Sequence, residues 1–269
     1  MNEAFLAAVV QMNSGEDKSA NLATAVELIR EAAAQGARLV VLPEMFLCLG
    51  SAVAMVAAGE SINGPTVREL SDVARDASIT LIAGSLPETI DDEQRVYNTS
   101  VAIGPDGAVL GHYRKLHLFD VDLADGTSHR ESAWSAPGDA VSVIDTPCGR
   151  IGQSICYDLR FPELYRATSQ RNAEFLAVPA AFTATTGRDH WEVLLRARAI
   201  ENQSYVLAAN QCGAHTRALV TYGHSMIVDP WGRVLTALTE GVGVAMARID
   251  LAELRATRAR MPALAHRRL

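Results

Sequence analysis

The chain has 269 residues, room for one large domain or two small ones, and its 49% hydrophobic and 20% charged content is that of a globular enzyme. A formal net charge of −7 disfavours nucleic acid and anionic membrane surfaces as partners. No apolar stretch approaches the ~20 residues of a membrane span, and the start lacks the basic region of a signal peptide, so a cytoplasmic setting is expected.

In chain order, Phe5–Met12 is an apolar run that predicts a strand. Lys18, in the polar stretch Ser14–Lys18, reads as solvated surface. Asn21–Gln35 has helical periodicity and stops at Gly36. Five of the six residues Ala37–Leu42 are apolar, the pattern of a buried parallel strand. Glu44 follows directly behind Pro43, and a carboxylate there is costly unless it reaches solvent, is paired, or has a function. A helix over Pro65–Ala77, a strand over Ile79–Ser85 and a hairpin over Asn98–Tyr113 complete the first half, the hairpin turning at Gly104–Gly107. Lys115 comes next. Only two of the 24 Lys+Arg residues are lysines, so a chain that otherwise uses Arg places a compact ammonium of shiftable pKa here. His117 alternates with Leu116 and Leu118 and reads as an exposed strand or loop face.

The second half repeats that order. It has a strand over Arg150–Tyr157, a helix over Pro162–Arg171, and a strand over Ala173–Pro179 that mirrors Ala37–Pro43 down to its final Pro. A helix over Asp189–Asn202, a strand over Ser204–Asn210 and a hairpin over Gly223–Leu238 follow; Trp231 in the hairpin turn is expected to pack. The Arg-rich end, Arg255–Arg268, reads as a solvated helix and tail. Two copies of one pattern argue for a single α/β domain over 1–269 with pseudo-twofold symmetry. Helices after strands give parallel pairs and hairpins give antiparallel ones, so two mixed sheets pack face to face with helices outside. A TIM barrel is the alternative, but it needs eight βα units without hairpins.

Cys156 is expected where an apolar strand gives way to polar residues and a Pro. A thiol so placed is a candidate nucleophile, with a small buried hydrophobe as the plainer reading. Glu44 and Cys156 both fall at carboxyl ends of predicted strands, where open α/β sheets bind ligands. The mirror position of Glu44 is Ala180, so the carboxylate is needed in one copy only. The four cysteines show no CxxC, the seven histidines no HxxxH or HExxH, and glycine-rich nucleotide loops and GxSxG are missing. Neither a metal site nor nucleotide binding is expected. A cysteine hydrolase with His117, His129 or His190 as base, and a non-catalytic binding module, remain open alternatives.

The ordered set Pro43-Glu44, Arg114-Lys115 and Cys156-Tyr157-Asp158-x-Arg160-Phe161-Pro162-Glu163 resembles the nitrilase (carbon–nitrogen hydrolase) superfamily, over nearly the whole chain. Tyr113–Asp120, Thr186–Glu192 and Tyr222–Ser225 resemble its Nit branch. Arg196–Glu201 and Asn210–Gly213 are more similar to that branch's deaminated-glutathione amidases than to its omega-amidases. The resemblance implies a four-layer αββα sandwich, a Glu44–Lys115–Cys156 triad, a second carboxylate at Glu131, no cofactor, and a homodimer or larger assembly. It also implies a small amide substrate whose acyl part is like 2-oxoglutarate. The chain departs from the Nit branch at His266–Leu269, beyond which that branch usually runs on for a few residues.

The residues fit acyl transfer. Cys156 attacks an amide carbonyl, and because a thiol has a pKa near ~8.5 it needs a base, here Glu44. Lys115 and the backbone N–H of Tyr157 hold the oxyanion. Glu131 orients Lys115 or water. Arg160, four residues beyond Cys156, offers a planar fork for a substrate carboxylate unless Asp158 ties it up in a structural pair. Phe182 and Thr183 are candidate pocket walls. The helix Asp189–Asn202 is more apolar than one buried stripe needs, which points to an interface.

Overall fold

The structure, a computed structural model, describes residues 4–122, 126, 128–216 and 219–268. The first half contains β1 (Ala4–Gln11), α1 (Lys18–Ala34), β2 (Ala37–Val41), α2 (Ala52–Ala57), α3 (Pro65–Ala77), β3 (Thr80–Ile82), β4 (Leu86–Thr89), β5 (Val96–Ile103), β6 (Val109–Arg114), β7 (Asp120–Asp122), β8 (Ser128–Arg130) and β9 (Ser135–Ala136). The second contains β10 (Val143–Thr146), β11 (Gly149–Gln153), α4 (Pro162–Gln170), β12 (Phe175–Ala180), α5 (Ala184–Asn202), β13 (Tyr205–Asn210), β14 (Cys212–Ala214), β15 (Val220–Tyr222), β16 (Met226–Val228), β17 (Val234–Ala237), β18 (Gly243–Asp250) and α6 (Leu251–Arg260).

One sheet runs β18-β1-β2-β3-β5-β4, with β6 and β9 also paired to β5; the other runs β10-β11-β12-β13-β16-β17. Along β18-β1-β2-β3-β5-β6 the pairings are antiparallel, parallel, parallel, antiparallel, antiparallel. The second sheet repeats that sequence of pairings strand for strand. The internal duplication is therefore a duplication of sheets. Its antiparallel edges, β18 and β10, lie outside the elements read from the sequence.

Alternation along the strands sets the layers. On β1, Ala7 and Val9 join Phe175, Ala177 and Leu207 in a cluster between the two sheets. Their neighbours Ala8 and Val10 face the other way, onto Leu28 and Ile29 of α1 and Leu70 and Val73 of α3. On β12, Leu176 and Val178 face outward onto Leu164, Tyr165, Trp191 and Leu195 of α4 and α5. Burial is worth about 1.5–3 kcal/mol per large aliphatic side chain, so each sheet needs cover on both faces. The result is an αββα sandwich.

Several boundaries differ from the sequence reading, each for a local reason. The Asp17 side chain accepts from Ala20 N at 3.0 Å and starts α1 at Lys18. Lys18 is not plain solvated surface, because its ammonium pairs with buried Glu60. The strand expected over Ile79–Ser85 ends at Ile82, since Gly84 turns the chain at φ +51. A Cβ on Gly84 would lie 2.0 Å from the Pro43 carbonyl, so only glycine allows this approach. The helix expected from Asp189 begins at Ala184. The strand expected to reach Tyr157 ends at Gln153. Trp231 does not pack into the core; it is 54% exposed.

Candidate active site

The chain leaves β2 and reaches Glu44 through Leu42 and Pro43. Met45 then adopts φ +50, a conformation unusual for a side chain of its size. The Ser85 hydroxyl accepts from Met45 N at 3.0 Å, and Gln211 Nε2 donates to the Glu44 carbonyl at 3.0 Å, so the peptide that joins Glu44 to Met45 is clamped at both its N–H and its C=O. The Glu44 carboxylate is buried and receives three donors. Ala181 N reaches Oε2 at 2.8 Å; Lys115 Nζ and Asn98 Nδ2 each reach Oε1 at 2.8 Å. Ala181 directly follows β12, so the strand end of the second repeat holds the carboxylate of the first.

Lys115 follows β6, its N–H donating to the Asn98 carbonyl at 2.9 Å. Its ammonium meets Glu44 Oε1 at 2.8 Å and Glu131 Oε2 and Oε1 at 2.8 and 3.0 Å. Burial by itself pushes this amine down, but the charges of Glu131 and Glu44 outweigh it and hold its pKa well above the ordinary value. Glu131 sits in a short 3-10 turn and accepts from Phe119 N at 2.7 Å and from Asn98 Nδ2 at 3.2 Å. Burial raises its pKa, Lys115 opposes that, and Glu44 adds to it. Asn98 is the residue that sequence reasoning missed. The signal was there: a polar side chain of low strand propensity within β5, which opens on Val96 and Tyr97 and closes on Val101, Ala102 and Ile103.

Cys156 is not on a strand. It opens a 3-10 turn, Cys156–Arg160, and adopts φ +46. Such a conformation costs about 1–3 kcal/mol and persists only where surrounding contacts impose it. Asp158 supplies them. Its fully buried carboxylate accepts from Ile155 N at 2.8 Å, Tyr113 OH at 2.7 Å and His117 N at 3.1 Å, and meets His117 Nδ1 at 2.7 Å. Burial and the nearby Glu44 charge drive the Cys156 thiol well above its ordinary pKa, with Lys115 opposing in part.

Glu44, Asn98, Lys115, Glu131 and Cys156 line one cavity of about 360 Å³. A narrower crevice also touches Cys156 and is lined by Tyr157, Arg160, Phe182 and Thr183; Thr183 borders both. The Arg160 guanidinium lies 5.1 Å from the Phe182 ring centre and 5.8 Å from that of Tyr157, with Nη1 3.2 Å from His190 Nδ1. The alternative pair of Arg160 with Asp158 does not form, because both Asp158 oxygens face Tyr113, Ile155 and His117. His117 is correspondingly half-buried and stacked on Phe161, not an exposed strand face. Of the three histidines weighed as bases, His117 is committed to Asp158 and His190 to Arg160, while His129 lines the large cavity beside Phe119. Among the described residues, no group of three or more His, Cys, Asp or Glu side chains is arranged to hold a metal, and no helix is long and apolar enough to cross a membrane.

Residues 6–259 match the family described as carbon-nitrogen hydrolase. The chain is 45% identical over 268 residues to a deaminated glutathione amidase of Homo sapiens, which covers 98% of this chain and 82% of that protein. It is 42% identical over 264 residues to omega-amidase NIT2 of Homo sapiens, covering 98% and 95% of the two chains. The crystal structure of Saccharomyces cerevisiae Nit3, a member of branch 10 of the nitrilase superfamily, superimposes with a TM-score of 0.90 at 34% identity, covering 99% and 97%.

Proposed function

The chain belongs to the carbon–nitrogen hydrolase family and is an amidase, and on that premise we propose that it hydrolyses the ω-amide of a small 2-oxo acid, with deaminated glutathione preferred over 2-oxoglutaramate. One observation carries the mechanism: a buried carboxylate–ammonium–carboxylate cluster shares a cavity with a thiol held at positive φ.

The electrostatics assign the roles. Lys115 is kept charged by two carboxylates, so it donates to a developing oxyanion and takes no proton. The thiol rests protonated, so it needs a base at the moment of attack, and Glu44 is that base. Cys156 Sγ bonds to the amide carbon as Glu44 removes the thiol proton. Lys115 and the Tyr157 N–H hold the oxygen. Glu44 passes the proton to nitrogen, the C–N bond breaks, and the amine leaves a thioester. Water then attacks, giving its proton to Glu44; the C–S bond breaks, the acid departs, and the proton returns to sulfur. Glu131 anchors Lys115 and balances its charge. Every reacting group is a side chain or backbone amide, so the proposed reaction calls for no cofactor.

Arg160 is assigned the substrate carboxylate, in a crevice walled by Phe182 and Thr183. A homodimer in the cytoplasm completes the reading. Four free cysteines suit a reducing compartment, and the exposed apolar side chains of α5 suit a partner.

Incubation with deaminated glutathione, 2-oxoglutaramate and a neutral amide, with products identified by mass spectrometry, tests the proposal. Cysteinylglycine release should outpace ammonia release, Cys156→Ala should release neither, and Arg160→Ala should raise KM for the two acids only. Turnover by Cys156→Ala refutes the nucleophile. Turnover by Glu44→Gln points to a histidine base. Preference for 2-oxoglutaramate makes the chain an omega-amidase.

A further inference from the structure

A carboxylate has about four lone-pair positions, two on each oxygen. On Glu44 three of them are taken: Lys115 Nζ and Asn98 Nδ2 both reach Oε1 at 2.8 Å, and Ala181 N reaches Oε2 at 2.8 Å. One position on Oε2 is left. The Glu44 carboxylate and the Ala181 N–H both act on the Cys156 thiol through hydrogen bonds, so the thiol lies on the Oε2 side of the base. The hydrolysis as derived uses Glu44 and Lys115 but gives Asn98 no task.

We propose that Asn98 is a positioning residue for the base: together with Lys115 it closes Oε1, so that every proton Glu44 handles is taken and returned at Oε2. The proposal rests on the reading above that makes Glu44 the base.

The Asn98 side chain is committed to its donors. Its amide nitrogen serves two different carboxylates, Glu44 Oε1 and, at 3.2 Å, Glu131 Oε1. Its Oδ1 is buried and has no hydrogen-bond partner among the described residues. A buried oxygen left so is costly, and an apolar side chain would avoid the cost, so the donors account for the residue. Turning the amide over would set Oδ1 against two carboxylate oxygens. The Asn98 backbone adds a further tie, since its carbonyl accepts from Lys115 N at 2.9 Å. One residue of β5 thus holds the ammonium and both carboxylates. An amide suits the position because it donates without titrating. A second cation there would offset the excess negative charge of Glu44 and Glu131 over Lys115 and weaken the base.

One oxygen then serves both halves of the reaction. The S–H proton moves to Oε2 as the C–S bond forms, and from Oε2 to nitrogen as the C–N bond breaks. Water later gives a proton to Oε2 as its oxygen bonds to the thioester carbon, and that proton returns to sulfur as the C–S bond breaks. An open Oε1 would offer the proton a resting place away from both sulfur and the departing nitrogen.

The test separates donors from shape. Asn98→Leu removes the donors and keeps much of the volume; Asn98→Asp keeps the shape and replaces the donors with acceptors. For both, kcat, KM and the pH profile of kcat/KM are measured on each amide of the panel above that the parent cleaves, with circular dichroism as the check of fold. An ionised carboxylate that loses a donor takes its proton at higher pH. The acid limb should therefore move up by about one pH unit or more in Asn98→Leu, and further in Asn98→Asp, which adds a third negative charge. At neutral pH kcat should fall by about ten- to a hundredfold, less than the loss of a whole general base, with KM nearly unchanged. A role in shape alone predicts the reverse order, with Asn98→Asp close to the parent and its acid limb unmoved; that result overturns the proposal. So does a folded variant with parental kcat and profile, or one in which only KM rises. Asn98→Ala, which also lacks the donors, serves if Asn98→Leu does not fold. Glu44→Gln tells the two readings apart. Turnover by Glu44→Gln removes the base and this proposal with it. An inactive Glu44→Gln beside a parental Asn98→Leu removes the proposal and leaves the base. A parent that cleaves no amide overturns both.

Discussion

At the scale of single residues, Lys115 carries the heaviest electrostatic load. An isolated buried ammonium costs several kcal/mol, and here the cost is offset by two carboxylates at 2.8 Å. Because the pKa of Lys115 is raised on folding, its stabilisation is fully present below the ordinary value of 10.5 and is lost as pH climbs through the higher folded value. Lys115→Met strands Glu44 and Glu131 as two like charges in one buried site. We expect a loss of about 3–5 kcal/mol at neutral pH. The deficit should shrink toward acid, because burial already raises the pKa of Glu131 and its protonation removes one of the two stranded charges. Urea denaturation of both proteins at neutral and mildly acidic pH measures this. A variant as stable as the parent, or a deficit that ignores pH, contradicts the account.

At the scale of elements, the joint between β6 and the Cys156 turn positions the chemistry. Tyr113 lies in β6 and His117 just beyond Lys115, and both bind Asp158, two residues past the thiol. The proposed oxyanion donor and the proposed nucleophile thus share one buried anchor. Asp158→Asn keeps the shape but turns one carboxylate oxygen into a donor, leaving it facing other donors. The expected cost is about 1–3 kcal/mol of stability. Release of the strained turn should also lower kcat, by up to about 10²-fold for an ångström of misplacement. Paired measurements of thermal melting and kcat distinguish the outcomes. A lowered melting temperature with kcat untouched would make Asp158 scaffold alone.

At the scale of the whole molecule, α5 faces two ways. Trp191, Leu195 and Ala199 are buried against β12 and β13, while Val193 and Ile200 on the same helix are 66% and 50% exposed. The turn between β16 and β17 lies against this helix: Arg196 Nε donates to the Gly232 carbonyl at 2.9 Å, and exposed Trp231 is next in sequence. An apolar strip of this kind suits a second copy of the chain. Val193→Asp combined with Ile200→Asp should therefore turn a dimer into a monomer in light scattering, without loss of the fold by circular dichroism. A parent protein that is already monomeric at micromolar concentration refutes the assembly.

What the sequence determined by itself is the pattern of elements and the candidates for the reactive groups. Two-residue alternation in the strands and 3.6-residue periodicity in the helices depend on which face is buried, and that information is local. The matching Ala37–Pro43 and Ala173–Pro179 segments exposed the duplication for the same reason, and an ammonium in an Arg-using chain drew attention to Lys115. What lies across a cavity is not local. The φ of Cys156 is held by Tyr113 and His117 through Asp158, the Glu44 carboxylate by the end of β12, and Asn98 bridges Glu44 and Glu131 from β5. The edge strand β18 closes the first sheet from the far end of the chain. Trp231 went to the surface because a turn residue packs only if something covers it. Those outcomes depend on distances between residues far apart in the chain, which only the packing of the two sheets decides.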